Sequence, residues 1–560
     1  TVFHQPPGTR LPFPSYYADL IVSEAAVKGT LPSKKTIEDL SRILKPIRGI
    51  ALIGGGKTTA DALGTWNAAT QQQGWTIVKS GNGVWSRRVR PQLAQSGSWT
   101  HQLGDSGNTG SSDDGALKGP LGVLWYGPPV LRYGNNSMPA RLAHGLMLLP
   151  VHNGIIACDQ YSGRKLWYYP CPENSQFFIA DRTIYLRREI LRDDRPTGKA
   201  LWERITLETG KKIDGVVLPR MMEQGTISQM AASRDGKIVY GHVQWQQTIK
   251  QGDEEIKKDF RCLFAEDSTS GKRLWTIGGV GQQRQWDSWV AISDGRLYCS
   301  IPVTDAHREK ALTEMKACLQ QHSPERFKAF DSSKRSIQAM AALEGATGKI
   351  LYETGIDTTN VFLYSGRRGV HYNPSIIPFT MASDNTVVFA TQSGADKGWR
   401  QWPNGAYKPR TLTVYAGDTG KLLWSKHADY RTRPVIANGT IYAEPWGYDI
   451  QTGERRQRTH PVTGRKADWA WCRYGKQCGQ FSASRHFLFG RSTGVAYHDL
   501  LNDDGLYTFY HSRMSCLFDA ITGGGMMIKP PMAVYCSCSW SLPFSVAMGQ
   551  VEAPPHPDHF

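Results

Sequence analysis

The nine residues Asp159-Gln-Tyr-Ser-Gly-Arg-Lys-Leu-Trp167 constrain the fold more than any other stretch, because their design returns along the chain. A short apolar strand runs into a Ser/Thr-Gly turn, and a basic residue then leads into an apolar pair ending on an aromatic. The pattern comes back as Leu207-Glu-Thr-Gly-Lys-Lys212, Asp267-Ser-Thr-Ser-Gly-Lys-Arg-Leu-Trp275, Glu344-Gly-Ala-Thr-Gly-Lys-Ile-Leu-Tyr352, Ala416-Gly-Asp-Thr-Gly-Lys-Leu-Leu-Trp424 and Asp449-Ile-Gln-Thr-Gly-Glu-Arg455, with a weaker seventh copy at Asp499-Leu-Leu-Asn-Asp-Asp-Gly505. The turn needs Gly where φ becomes positive, and its Asp or Thr side chain bonds the turn's own backbone. The aromatic leaves on the next strand and is expected to wedge between adjacent sheets. One such turn is an ordinary hairpin. Six at related spacing predict a β-propeller with a corner in each blade.

Repetition also resolves the question of size. A single core stops growing at about 250–300 residues, except in repeat-built folds, so 560 residues fit a propeller with something added. Gly 57, Trp 18 and Tyr 23 suit many short strands with tight turns.

Residues 1–95 break the pattern. Tyr17-Ala-Asp-Leu-Ile-Val22 reads as a buried-type strand, Lys34 to Leu44 as an amphipathic helix, and Gly49-Ile-Ala-Leu-Ile53 as another apolar strand ending in Gly54-Gly-Gly56. Ala60 to Gln73 reads as a second helix, and Gly74 to Lys79 with Val84 to Val89 as a hairpin around Gly81-Asn-Gly83. This order is half of an α/β sheet. The segment resembles the C-terminal half of a class I S-adenosylmethionine methyltransferase. Leu44-Lys-Pro-Ile-Arg-Gly49 stands where that family has a Leu-Arg-Pro-Gly-Gly turn before its fifth strand, and the hairpin matches its last two strands. The family's first strand and Gly-rich cofactor loop have no counterpart, so no methyl transfer by this chain alone is expected. The partial Rossmann-like segment is then a remnant or is completed by an upstream fragment. Gly54-Gly-Gly-Lys57 lacks phosphate-loop spacing.

Ser96 to Lys118, rich in Gly, Ser and Asp, reads as a linker that carries Trp99-Thr-His-Gln-Leu-Gly-Asp-Ser-Gly-Asn108. Leu121-Gly-Val-Leu-Trp-Tyr-Gly127 then looks like the outgoing half of a corner with no turn before it, and Phe544-Ser-Val-Ala-Met548 like a strand with no partner. Joining them closes a propeller over 119–552, leaving 553–560 as a tail. Seven internal corners plus this closure predict eight blades, and the fold class is mainly β. The repeats resemble the pyrroloquinoline-quinone-like (PQQ-like) propeller repeats of quinoprotein alcohol dehydrogenases and of the scaffold lipoprotein of the outer-membrane barrel assembly machinery. The order of methyltransferase-like segment, Trp-Thr-His linker and propeller ending in a Cys-x-Cys strand resembles large secreted proteins of planctomycete-type bacteria.

Charge and cysteines indicate the surroundings. Lys+Arg 66 against Asp+Glu 49 gives a net +17, a field that attracts phosphate, sulfate, uronate or anionic lipid. No apolar run is long enough for a spanning helix. The start at Thr1, without a basic or apolar leader, is expected to follow removal of a signal or pro-segment, which places the chain in the periplasm or outside the cell. Ten Cys fit an oxidising compartment, and Cys472, Cys478, Cys516, Cys536 and Cys538 are the disulfide candidates that would pin the closing blade. No recognition motif points to nucleic acid.

Long gaps between corners mark insertions. Asp305 to Phe330 reads as a surface helix with His307, Cys318 and His322; Tyr364 to Arg410 carries Arg367-Arg-Gly-Val-His-Tyr372 and Lys397-Gly-Trp-Arg-Gln-Trp402. Loops of this kind carry function. β-Elimination on a uronic-acid polysaccharide needs a base and a cation that neutralises the carboxylate, and Arg367, Arg368, His371 and Tyr372 offer that set, with His242 a second candidate base. Trp245, Trp286, Trp289, Trp399 and Trp402 offer faces for sugar stacking. The structural alternatives are that the Trp residues are wedges between blades, His242 a core histidine and Arg367–Arg368 a solvated loop. PQQ with Ca²⁺ would need an oxygen-lined cation site and an Asp base, and the dehydrogenases these repeats resemble carry two adjacent half-cystines; here Cys536-Ser-Cys538 is the nearest approach. No haem motif and no zinc spacing occur, and neither cofactor nor metal is expected. The expected function is a propeller platform for an envelope partner protein or an anionic polysaccharide, with a polysaccharide lyase and then a PQQ-dependent oxidoreductase as alternatives.

Overall fold

The computed structural model describes residues 11–70, 74–130, 140–172, 175–192, 195–216, 226–251, 254–278, 288–359, 361, 363–366, 369–372, 379–391, 410–460, 462–474, 480–509, 520–531 and 544–551. Among these, antiparallel meanders follow one another as sheets of a β-propeller. The first four are built on Arg141–Pro170, Phe177–Gly215, Thr226–Gly278 and Ser288–Asp357. The fifth spans Phe379–His427, the three-stranded sixth Val435–Asp449, and the seventh Ser482–Phe509. The eighth joins the two ends: Ile521–Gly523, Met526–Lys529 and Phe544–Gln550 are completed by Leu121–Val130, with Ala547 opposite Trp125.

The repeated corners hold neighbouring sheets together. Their glycines all have positive φ: Gly163 at 71°, Gly210 at 67°, Gly271 at 68°, Gly348 at 74°, Gly420 at 67° and Gly453 at 68°. Each acidic corner side chain turns back on its own loop, as where Asp159 Oδ1 accepts from Tyr161 N at 3.0 Å and Asp449 Oδ1 from Thr452 N at 2.8 Å. The aromatic that follows lies on the next sheet's corner and hydrogen-bonds its backbone. Trp167 Nε1 donates to Leu207 O at 3.1 Å, Trp275 Nε1 to Gly345 O at 2.9 Å, Tyr352 OH to Gly417 O at 3.0 Å and Trp424 Nε1 to Ile450 O at 3.0 Å. A Cβ on Gly348 would stand 2.8 Å from the Trp275 ring, so the aromatic needs this glycine twice, for φ and for room. The second sheet has no corner aromatic, and there Arg204 lies over Gly271. Trp125 of the eighth sheet donates to Gln160 O in the first corner at 3.1 Å, which closes the ring.

Four alternating strands put the first and third turns of a sheet on one face, and the second turn and inter-sheet connections on the other. Apart from the hairpin Gln457–Asp468, which interrupts the outer edge of the sixth sheet between Arg455 and Ala470, the insertions leave from the second face. They include the long hairpins of the second and third sheets, the pair Leu363–Gly366 and Gly369–Tyr372, and residues 392–409 between Thr391 and Arg410. The helix Asp305–His322 departs from that face too, then folds down the rim. Its Ala311, Met315, Cys318 and Leu319 are buried, and the cluster that Met315, Cys318 and Leu319 join includes Tyr298, Met340, Ile356 and Leu422. It thereby covers the outer strands Ile350–Asp357 and Leu422–His427, whose edges would otherwise be open.

Residues 96–118, expected as a linker, instead run through the middle of the ring. The run makes one circuit, meeting the first strand of each sheet in turn. Gly97 O accepts from Gly524 N at 3.0 Å; Trp99 and Leu142 exchange both backbone bonds; Thr100 O accepts from Ile179 N at 3.1 Å. His101 Nε2 accepts from Ala232 N at 3.1 Å. Ser106 O, Gly107 O, Thr109 O and Gly110 O then take Ile292 N, Ala382 N, Ile436 N and Ala483 N at 3.0, 2.8, 2.8 and 2.9 Å, and Ser112 Oγ reaches Thr522 Oγ1 at 2.6 Å. Inner strands of a ring carry backbone groups that need partners away from water, and this circuit supplies them. Its small residues are what the space admits: a Cβ on Gly107 would lie 2.2 Å from Ala382 O.

The N-terminal unit is a four-stranded mixed sheet. Leu20–Val22 runs parallel to Ile50–Gly55, which pairs antiparallel with Gly83–Val89 and through it with Trp75–Ser80. Helices Lys34–Ile43 and Ala60–Thr70 bury Ile37, Leu63 and Trp66 against it. The unit rests on the first corner, where buried Lys45 reaches Asp159 at 3.5 Å and the Tyr16 ring meets Tyr161 at 5.4 Å.

Candidate functional site at the propeller axis

On the insertion-bearing face the central segment leaves a recess of ≈ 190 Å³ lined by His101, Gln102, Ser106, Asn108, Arg141, Gln176, Phe177, Phe178, Trp202 and Gln229 with Met230 and Ala231. The floor is aromatic. His101 stacks on Phe178 at 5.2 Å and 11°, and Phe178 on Tyr185 at 5.2 Å and 6°. Because Nε2 accepts from Ala232 N, the ring proton sits on Nδ1 and is donated to Thr100 Oγ1 at 2.9 Å. Burial, with Arg141 beside it, pushes His101 down to about 3, so it is neutral and spent on structure. Arg141 lies over the Phe177 ring at 5.0 Å and donates Nη2 to Phe177 O at 3.3 Å; burial lowers it to about 9. Gln102, Asn108, Gln176 and Gln229 add amide donors and acceptors. The recess can thus receive a polar group of modest size, with hydrogen bonds from amides and one cation nearby, and it holds no general base.

The sign for His101 can be checked. Its folded value lies below the ordinary one, so the unfolded chain binds the extra proton first, and the stability it contributes is full above about 6.5 and lost as pH falls towards about 3. In the His101→Gln variant that contribution is absent. The stability gap between native chain and variant is therefore expected to be widest at pH 7 and to narrow by pH 4 in urea titrations.

The opposite face has a recess of ≈ 210 Å³, lined among others by Arg234, Asp384, Asn438 and Arg485. Asp113 at its edge is held by Arg234 at 3.2 Å and Arg485 at 3.0 Å, which neutralises much of its charge. Within the central segment, burial raises Asp105 and Asp114, while backbone N–H groups of Gly107 and Thr109, and of Gly97, Leu117 and Gly525, hold their oxygens.

The residues singled out from sequence are scattered. His242 is 2% exposed with Nδ1 at 2.5 Å from Ser228 Oγ, and Trp245 is 8% exposed and stacked on Phe260 at 5.7 Å in the layer between the second and third sheets. His371 and Tyr372 lie on the strand Gly369–Tyr372, paired with Tyr364 and Leu363, and Arg367 and Arg368 fall between the two strands, outside the described residues. Trp289 is placed on Ser288–Ser293 by its backbone; Trp286, Trp399 and Trp402 lie outside the described residues. Cys472 has a free, exposed thiol, and Cys478, Cys516, Cys536 and Cys538 lie outside the described residues; no disulfide occurs among the described ones. Among the described residues no three His, Cys, Asp or Glu side chains gather as a metal site, and no helix is long and apolar enough to cross a membrane.

No protein-family model and no curated protein matches the chain. Among solved structures it is similar to a europium-containing methanol dehydrogenase, at 11% identity and TM-score 0.35 over 81% of this chain and 98% of that one. A quinohemoprotein alcohol dehydrogenase from Comamonas testosteroni gives 12%, 0.41, and 82% of each chain. BamB from Moraxella catarrhalis gives 12% and 0.30 over 71% of this chain and all 100% of that one. Likenesses this distant say nothing of ligand or chemistry, and the propeller stands on its own docked corners.

Proposed function

We propose that this chain is an extracytoplasmic, eight-bladed propeller of the quinoprotein-like repeat type that serves as a binding platform, for an envelope protein or an anionic glycan, through its insertion-bearing face. The observation that carries this reading is the filled axis. A chain that spends its own residues 97–114 on every inner strand leaves recognition to the rim of loops around that face, and a net charge of +17 favours acidic ligands there. The N-terminal unit fits a structural remnant of methyltransferase-like type, or one half of a sheet completed by an upstream fragment; it occupies the other face.

The described residues do not fit a Ca²⁺-quinone site. The axial recess of ≈ 190 Å³ is below the roughly 300 Å³ at which small-molecule sites begin, and the acids next to its lining in sequence are engaged: Asp105 Oδ1 accepts from two backbone N–H groups, and Glu203 accepts from Lys212 Nζ and Tyr169 OH. The second reading remains a uronate lyase, favoured by one placement: His371 and Tyr372 share a hairpin strand directly after Arg367 and Arg368.

Isothermal titration of the full chain against polygalacturonate, a sulfated glycan and neutral dextran tests the platform. Binding of the acidic polymers alone, weakening as salt rises and yielding no unsaturated product, is the expected result. Unsaturated uronate that disappears in His371→Ala would establish the lyase instead. Equal binding of dextran would overturn the acidic-glycan assignment.

A further inference from the structure

The layer between the seventh and eighth sheets contains a buried cation whose side chain has no hydrogen-bond partner among the described residues. Phe487 and Phe489 of the seventh sheet pack there against Met527, Val546 and Met548 of the eighth. Side chains alternate along a strand, so residues two further on share the layer. From Phe489 that residue is Arg491, and from Met527 it is Lys529, 1% and 0% exposed. Both strands run from the first turn of their sheet towards the second, so the two cations stand at the same end, beneath the insertion-bearing face.

Elsewhere the chain gives its buried arginines partners. Arg473 has Glu444, Arg410 donates to Tyr430 O and Arg431 O, and Arg141 to Phe177 O. Lys529 Nζ donates to Phe544 O at 3.0 Å. Arg491 differs: Nε, Nη1 and Nη2 all lack a hydrogen-bond partner among the described residues. The carboxylate on the neighbouring strand, Asp499, pairs across from Phe487 at the opposite end. A guanidinium keeps its proton in any protein environment, and burying it unpaired is among the costliest arrangements a fold can hold. Its planar fork matches phosphate, sulfate and carboxylate oxygens.

We propose that Arg491, with Lys529 beside it in the same layer, is the seat of an oxyanion site between the seventh and eighth sheets. The ligand is a phosphate, sulfate or carboxylate group, free or borne by the acidic glycan of the platform reading, and only that second source rests on the platform reading.

Thermal unfolding of the full chain tests this, in sodium phosphate and sodium sulfate against sodium chloride at matched ionic strength, with Arg491→Met and Arg491→Lys alongside. Sulfate stabilises many proteins by exclusion, so the readout is the difference between chains. The native chain and Arg491→Lys are expected to show an extra upward shift that grows with the logarithm of anion concentration, and Arg491→Met to lose it while standing above the native chain in chloride. An equal shift in native chain and Arg491→Met overturns the site. If Arg491→Met does not fold, the absence of any concentration-dependent gain in the native chain overturns it equally. A sulfated tetrasaccharide in place of sulfate separates the sources. The same Arg491-dependent gain assigns the group to a glycan, and a gain with inorganic ions alone assigns it to a free ion. Acidic-glycan binding that persists unchanged in Arg491→Met, with no ion-dependent gain, overturns the site while leaving the platform intact.

Discussion

Trp99→Ala is expected to lower the unfolding free energy by about 3–5 kcal/mol, the range for emptying a large aromatic from a packed interior. The indole is fully buried in the cluster that joins the first and eighth sheets, with Leu142, Met147, Ile521, Met526 and Ala547 around it. These two sheets hold the ring shut, so the cavity opens where the ends of the chain meet. Tyr126→Ala, on the adjoining outer strand but 71% exposed, should stay within about 0.5 kcal/mol. Urea midpoints of the two variants check the contrast, and equal effects would mean that the Trp99 segment is not part of the core.

Glu444→Gln is expected to cost a similar ~3–5 kcal/mol, for a different reason. Glu444 and Arg473 are both 0% exposed, and the carboxylate accepts from Arg473 N at 2.9 Å and Nη2 at 2.7 Å, with Nε 3.2 Å from each oxygen. The amide leaves the guanidinium charged and uncompensated in an interior that water does not reach. The double variant Glu444→Leu/Arg473→Met should recover most of the loss, because two apolar groups remove both desolvation costs together. Denaturation of the single and double variants measures this. If the double variant is as unstable as Glu444→Gln, the damage lies in packing rather than charge.

The corner at Asp159–Trp167 was legible because local chemistry dictates it. A Thr-Gly turn with an acidic cap and a trailing aromatic has one economical geometry, and repetition turned that geometry into a ring. Closure was legible for the same reason: Leu121–Gly127 and Phe544–Met548 each lacked a partner that the other could supply. The central segment was not. Its Gly, Ser and Asp have the composition of a flexible connection, and nothing periodic in it shows that Gly107 and Gly110 are small because inner strands crowd them, or Gly97 because the segment's own Ser112 and Asp114 do. The recess residues Arg141, Gln176 and Gln229 were missed because they belong to otherwise ordinary strands, Arg141 and Gln176 at their entrances and Gln229 within Thr226–Ala232, and meet only when the ring closes. Trp245 and His242 stood out in sequence as an aromatic beside a histidine. Strand alternation within Ile238–Gln251 puts them on opposite faces of the third sheet, and both are buried because a neighbouring sheet covers each face, which the corner repeats did not reveal.

The most direct measurement is amide hydrogen exchange of the intact chain across residues 97–114. If this segment is paired with every inner strand, its amides and those of Ile179, Ile292, Ala382, Ile436 and Ala483 should exchange as slowly as the strands themselves, over hours rather than seconds. Exchange of 97–114 at the rate of an unstructured connection, with the inner strands still protected, would contradict the filled axis and the platform reading built on it.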